Sequence, residues 1–357
     1  MMKTQVLSPT GEALRRAAEL IRSGSVVAFP TETVYGLGAN ALDDAAVDRI
    51  FEAKGRPGDN PLIVHIAEKE ELASLVRGEP GPMAERMADA FWPGPLTMIL
   101  PCSPRIAPSV TAGLGTVGVR LPSHPAARDL IRLSGVPIAA PSANRSGRPS
   151  PTLAEHVAED MDGRIPLILD GGPCRVGLES TVVDMTGEIP RILRPGAVTP
   201  EQIRSVCGAG EVDPAVMRPL SEGERPRSPG MKYRHYAPRA SLTIFTGSPG
   251  PVAERICREY DAAVARSRRA LILALTGHLP LYGDREVLTM GPDEKGMAEA
   301  VFARLREADA LNAEVLFSEG TEETGIGLAV MNRLGRAAAF RIERVPDRPE
   351  GTGTCGR

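Results

Sequence analysis

Lysine stands at only five positions, 3, 54, 69, 232 and 295, in a chain where arginine supplies most of the positive charge. One of them forms Lys54-Gly55-Arg56, two cations across a single glycine. Two accounts fit that placement. Peptide dipoles favour cations at a helix C-terminus. Arginine would serve there equally well, however, and a retained lysine suggests a compact point charge set against phosphate. Upstream, Thr31, Thr33 and Tyr35 recur at every second position, so an extended segment would turn all three to one side. Downstream, His65 interrupts the apolar run Leu62-Ile63-Val64-His65-Ile66, either as a hydrogen-bonded core residue or as a ligand. Ser142-Ala143-Asn144 follows an apolar strand, where such residues form turns or present ligand groups. No residue is an obvious covalent nucleophile. The chemistry on offer is binding and charge neutralisation.

These residues need rigid elements behind them. Ser25-Val26-Val27-Ala28-Phe29 reads as a strand stopped by Pro30. Asp43 or Asp44 caps a short helix whose stripe is Val47, Ile50 and Phe51, and Gly55 ends it, delivering Lys54 and Arg56 to its C-terminal end as exposed cations. Thr10 caps an earlier helix lined by Leu14, Ala17, Ala18 and Ile21. Val117, Val119 and Leu121 alternate toward the core and leave Arg120 on the opposite face. The single Trp, at 92, lies in a Pro/Gly-rich turn and reads as packing.

Composition narrows the class. At 357 residues the chain is long for one hydrophobic core, so two domains are expected. Five scattered cysteines without Cys-x-x-Cys spacing argue against a disulfide framework and a structural zinc site. A net charge of −3 lacks the surplus that binding to a phosphate backbone needs. No apolar run is long enough to span a membrane, and no signal pattern opens the chain, so a cytoplasmic location is expected.

The run FPTETVYGLGANA, the KGRP turn, the NPLIVHI strand and the Ser142-x-Asn144 pair together resemble the threonylcarbamoyl-AMP synthase family, in the same order and along essentially the whole chain. The resemblance implies an α/β protein: a YrdC-type twisted open sheet with flanking helices over 1–207, a linker over 208–239, and a smaller Rossmann-like parallel domain over 240–345. Residues 346–357 read as a tail. The C-terminal part alternates strands and helices as such a sheet requires. Gly325-Ile326-Gly327 alone is no dinucleotide fingerprint.

The implied reaction joins L-threonine, bicarbonate and ATP into L-threonylcarbamoyladenylate, with release of pyrophosphate, for modification of a tRNA adenosine. Residue by residue, the resemblance makes Lys54, Arg56, Ser142 and Asn144 catalytic and ATP-binding, joined on ATP by Ser150, Arg194 and Tyr236. It places Thr33, His65, Arg120 and Ser180 around threonine, with Arg120 on the carboxylate. Magnesium would accompany ATP, with no protein metal site, and tRNA-modifying transferase proteins would take the product. In the linker, Ser228-Pro229-Gly230-Met231-Lys232-Tyr233-Arg234-His235-Tyr236-Ala237-Pro238 resembles the family's linker motif, and Lys232, Tyr233, Arg234 and His235 read as a lid. Two rivals stand beside this reading: a non-catalytic RNA-binding module, and a carbamoyl-adenylate enzyme with another acceptor. Low net charge and the lack of an aromatic stacking motif count against the first.

Overall fold

Thr10 starts the first helix as its sequence requires. Its hydroxyl accepts from Ala13 N at 3.3 Å, and Gly11–Arg22 buries Ala13, Leu14, Ala17, Ala18 and Ile21 on one face. The computed structural model describes residues 3–218 and 236–347. Around that helix the first domain builds an eleven-stranded sheet of mixed direction. In spatial order its strands are Gln5–Leu7, Leu167–Leu169, Val27–Phe29, Gly36–Asn40, Ile138–Ala140, Ile63–His65, Thr116–Arg120, Leu96–Pro101, Thr181–Asp184, Arg191–Arg194 and Glu211–Val212.

Register decides which side chains can meet. Ile63–His65 runs parallel to Thr116–Arg120 with His65 opposite Arg120, so both side chains leave the same face. Leu96–Pro101 runs parallel to Thr181–Asp184, which places Ser180 just ahead of a strand start. Gly38 is needed for close approach: a Cβ there would lie 2.6 Å from Ile138 and 2.7 Å from the Phe29 ring.

The hydroxyl-bearing run corrects one expectation. Residues 31–35 are not extended, because the Thr31 hydroxyl captures the local backbone. It accepts from Thr33 N at 3.2 Å and Val34 N at 3.3 Å and donates to Val34 O at 2.6 Å. The turn separates the three hydroxyls. Thr31 and Thr33 stay together, 2.8 Å apart, while Tyr35 is driven into the core and its hydroxyl donates to Gly172 O at 2.7 Å.

The second sheet is entirely parallel, in the order Val287–Thr289, Ala270–Ala274, Val315–Glu319, Ser241–Thr246 and Ile342–Arg344. Alternation sorts its two faces. Leu242, Ile244, Leu271, Leu273 and Leu316 pack against helices Glu294–Ala310 and Gly325–Ala337, whereas Phe245, Ile272, Ala274 and Phe317 pack against Pro249–Ala265. Val34, Leu178 and Tyr236 join the first of these clusters beside Met297 and Phe302, so a shared core continues across the boundary between the sheets. Gly177 marks the approach: with φ of +75°, it would bring a Cβ to 2.5 Å from Ala298 O. Trp92 packs in the large core and donates Nε1–H to Leu96 O at 2.7 Å. No helix of the described residues is long and apolar enough to cross a membrane.

Candidate functional site

Lys54 ends a helix with both caps in place. Asp43 accepts from Ala45 N at 3.0 Å and Ala46 N at 3.3 Å, and Gly55 turns left-handed at φ 66°. The helix does not leave Lys54 exposed, contrary to its reading as a surface cation. Lys54 is 3% exposed, and Nζ donates to the carbonyls of Ser142 and Asn144, which lie where the helix end meets a strand end. Burial, with Arg56 adjacent, pulls its pKa well below the ordinary lysine range. The two carbonyls can only accept, so they hold Nζ as a donor. The Arg56 guanidinium lies over the Phe51 ring, 5.4 Å from its centroid.

The loop opposite is fixed through Asn144. Its Oδ1 accepts from Ser142 Oγ at 2.5 Å, and its Nδ2 donates to the carbonyls of Arg145 and Arg148 at 2.9 Å each. An antiparallel bridge from Ser142 to Gly36 ties this loop to the turn that carries Thr31 and Thr33.

Farther along the wall, His65 and Arg120 emerge side by side. Burial and the neighbouring Arg120 lower the His65 pKa to about 3, so the ring is neutral. Its Nδ1 lies 3.1 Å from Ile63 O. Arg120 is on the cleft side, as its alternation predicts, yet it is 3% exposed rather than solvent-facing. Glu32 explains the burial: its Oε1 lies 2.7 Å from Arg120 Nη2.

The remaining wall is a polar chain. Arg194 donates from Nε to Ser180 O at 3.0 Å and from Nη2 to Ser180 Oγ at 3.1 Å, and Ser180 Oγ lies 2.8 Å from Thr97 Oγ1. Burial lowers Arg194 to a pKa of about 10, still cationic at neutral pH. Glu179 accepts from Ser150 Oγ at 2.5 Å and from Arg333 Nε at 2.7 Å. Burial alone would raise its pKa, but Arg333 and Arg194 reverse that and hold it below the usual range.

One cleft of about 740 Å³ is lined by Thr31, Thr33, Lys54, Arg56, His65, Arg120, Ser142, Asn144, Glu179, Ser180, Arg194 and Tyr236, among others. Of the residues singled out from sequence and described here, Tyr35 and Ser150 are not on this lining: Tyr35 is buried in the core, and Ser150 is fully buried behind Glu179. Lys232, Tyr233, Arg234 and His235 lie outside the described residues. Sequence reading missed Glu32, Glu179 and Arg333. Arg333 had a signal, a charge inside the apolar run Ile326-Gly327-Leu328-Ala329-Val330-Met331-Asn332-Arg333-Leu334. Among the described residues, no three of His, Cys, Asp and Glu converge as metal ligands.

Known proteins share this architecture. Residues 19–196 match the Sua5/YciO/YrdC family model, described as telomere recombination. Residues 198–339 match the threonylcarbamoyl-AMP synthase C-terminal domain. The threonylcarbamoyl-AMP synthase of Bacillus subtilis is 48% identical over 344 residues, covering 96% of this chain and 97% of that protein. Its counterpart in Pyrococcus abyssi is 49% identical over 332 residues, 93% and 96% of the two chains. A solved P. abyssi Sua5 with two alanine substitutions superposes with a TM-score of 0.91 at 45% identity, over 98% of this chain and all of that one. P. abyssi Sua5 complexed with L-threonine gives 0.90 at 46%, over 97% and 100%. With both family models matched in tandem and near-full-length identity close to one half, the chain belongs to the threonylcarbamoyl-AMP synthase family.

Proposed function

We propose that the cleft joins L-threonine, bicarbonate and ATP into L-threonylcarbamoyladenylate and pyrophosphate, the intermediate for threonylcarbamoyl modification of tRNA. The observation that carries the reading is the convergence of Lys54, Arg56, Arg120 and Arg194 on one cleft with a single carboxylate, Glu179, on its described lining. Relatives over nearly the full chain bear the synthase name, and one similar structure holds L-threonine.

The chemistry suits such a wall. The threonine amine and bicarbonate give a carbamate and water. A carbamate oxygen then bonds to the α-phosphorus as the bond to the pyrophosphate oxygen breaks. Both reactants are anionic, so neutralisation is the main requirement, and preorganised charges on the cleft wall meet it. Lys54, Arg56 and Arg194 take that role, with Ser142 and Asn144 orienting the phosphates and carbamate. Ser150 supports the nucleotide wall through Glu179, and Tyr236 covers it. Thr33, neutral His65 and Ser180 surround the amino acid, and Arg120 offers its carboxylate the part of the guanidinium that Glu32 leaves. Magnesium, held by few protein ligands when it binds nucleotides, would ride on the triphosphate and add to the neutralisation. The reading places the work in the cytoplasm, with residues 1–207 catalytic and the product passed to a tRNA-modifying transferase.

Pyrophosphate release tests it directly. Release is expected to require both threonine and bicarbonate and to match formation of the threonylcarbamoyl adenylate. Release indifferent to threonine would sink the reading, and with it the choice of acceptor.

A further inference from the structure

We propose that Arg333, from the second domain, sets the nucleotide affinity of the first domain's cleft by keeping the charge of Glu179 from claiming Arg194. The proposal rests on the reading that Arg194 neutralises ATP. Arg333 is fully buried in the helix Gly325–Ala337, a costly place for a guanidinium unless its charge and N–H groups are met. They are met largely across the domain boundary. Nε donates to Glu179 Oε2 at 2.7 Å, Nη2 to Glu179 O at 3.3 Å, and Nη1 to Pro195 O and Asn332 Oδ1 at 2.8 Å each.

The two residues clamped are the sequence neighbours of Ser180 and Arg194, which bond each other through Arg194 Nε and Nη2. One side chain therefore holds both ends of that cleft wall. It also lies over the Tyr236 ring, 6.0 Å from its centroid, where the second segment of described chain begins. Glu179 is the one carboxylate on the described lining. After Arg333, Arg194 is the described cation that acts most strongly on Glu179, and Glu179 and Arg194 are both on the cleft lining. With Arg333 absent, a carboxylate that takes up Arg194 withdraws it from phosphate. Arg333 is thus a positioning residue: it is not on the cleft lining and acts through Glu179.

The test uses the full chain, with ATP and threonine affinities measured by titration. Arg333→Met is expected to weaken ATP about tenfold while leaving threonine within twofold. Adding Glu179→Gln to Arg333→Met removes the stray charge, and ATP affinity is expected to return to within about threefold of the parent. Arg333→Lys, which keeps the charge and loses the fork, is expected to remain within about threefold. Unchanged ATP affinity in Arg333→Met overturns the proposal. So does a double variant as weak as Arg333→Met, because lost packing alone would not be repaired by removing a charge. If Arg333→Met does not fold, the double and lysine variants decide, and a tenfold loss in both overturns it. Arg194→Met separates the layers. A loss of ATP affinity there, with none in Arg333→Met, rejects the coupling alone, whereas no loss in Arg194→Met rejects the role of Arg194 and the proposal with it.

Discussion

Arg120 Nη2 stands 2.7 Å from Glu32 Oε1, with both side chains only 4% exposed. A buried pair of this kind is costly to break from one side, about 3–5 kcal/mol, because the survivor keeps an uncompensated charge. Glu32→Gln is therefore expected to lower unfolding stability by roughly 3 kcal/mol. The threonine carboxylate would then supply the missing anion. Saturating threonine is expected to raise the denaturation midpoint more in Glu32→Gln than in the parent. Arg120→Ala is expected to raise the KM for threonine tenfold or more with little change for ATP. Equal midpoint shifts in the two proteins would remove Arg120 from the carboxylate.

Lys54 makes a second test with two readouts. Lys54→Met is expected to lower kcat about a hundredfold or more, the usual scale for one preorganised charge stabiliser. It also strips the donor from the carbonyls of Ser142 and Asn144. Unsatisfied buried acceptors cost about 1–3 kcal/mol each, partly offset here because a buried charge also goes. Urea melts are expected to show a measurable loss, whereas an exposed helix-end cation would contribute only about 0.3–1 kcal/mol. Parent-like pyrophosphate release at saturating substrates would exclude Lys54 from the chemistry.

The contrast at Lys54 shows what sequence could and could not reveal. Asp43, Gly55 and the Val47, Ile50, Phe51 stripe are local signals, and they specified the helix and its end. What buries Lys54 arrives from residues 142 and 144, and no local pattern reports that distance. Arg120 behaved likewise: alternation gave the correct face, while the counterion that allows burial sits at Glu32. Arg333 and Glu179 are 154 positions apart. Tyr35 failed for another reason, since side-chain hydrogen bonds at Thr31 overrode a plausible period of two. The second domain was legible because uninterrupted β-α alternation admits few arrangements.

Histidine burial predicts the acid limb of stability. His65 is lowered to about 3 by burial and Arg120, and His156 to about 4 by burial and Arg306. Both folded values lie below the unfolded value of about 6.5. Between the two the unfolded chain binds more protons, so stability rises with pH there and levels off above about 6.5. Each such group contributes a slope of up to about 1.4 kcal/mol per pH unit within its window. His65→Gln is expected to flatten the stability profile between pH 5 and 6.5, measured by urea melts at fixed ionic strength. An unaltered slope would mean that His65 is protonated in the folded protein at these pH values.

Docking of the second domain also has an ionic hinge point. Arg306 Nη2 donates to Asp160 Oδ2 and to Pro149 O at 2.7 Å each, from a side chain 3% exposed onto one that is fully buried. Asp160 keeps two other partners, Arg148 through its guanidinium and Arg145 N at 3.2 Å. Losing Arg306 therefore leaves the carboxylate partly compensated, and Arg306→Ala is expected to cost roughly 3 kcal/mol, the lower end for a broken buried pair. The effect belongs to docking rather than to either core, since Arg306 projects from Glu294–Ala310 to residues 149 and 160 of the first domain. Limited proteolysis that separates the two domains is expected to accelerate in Arg306→Ala, with each half retaining its own sheet. Acceleration of cleavage inside the second domain instead would show that Arg306 supports that domain's fold, and would reject the docking role.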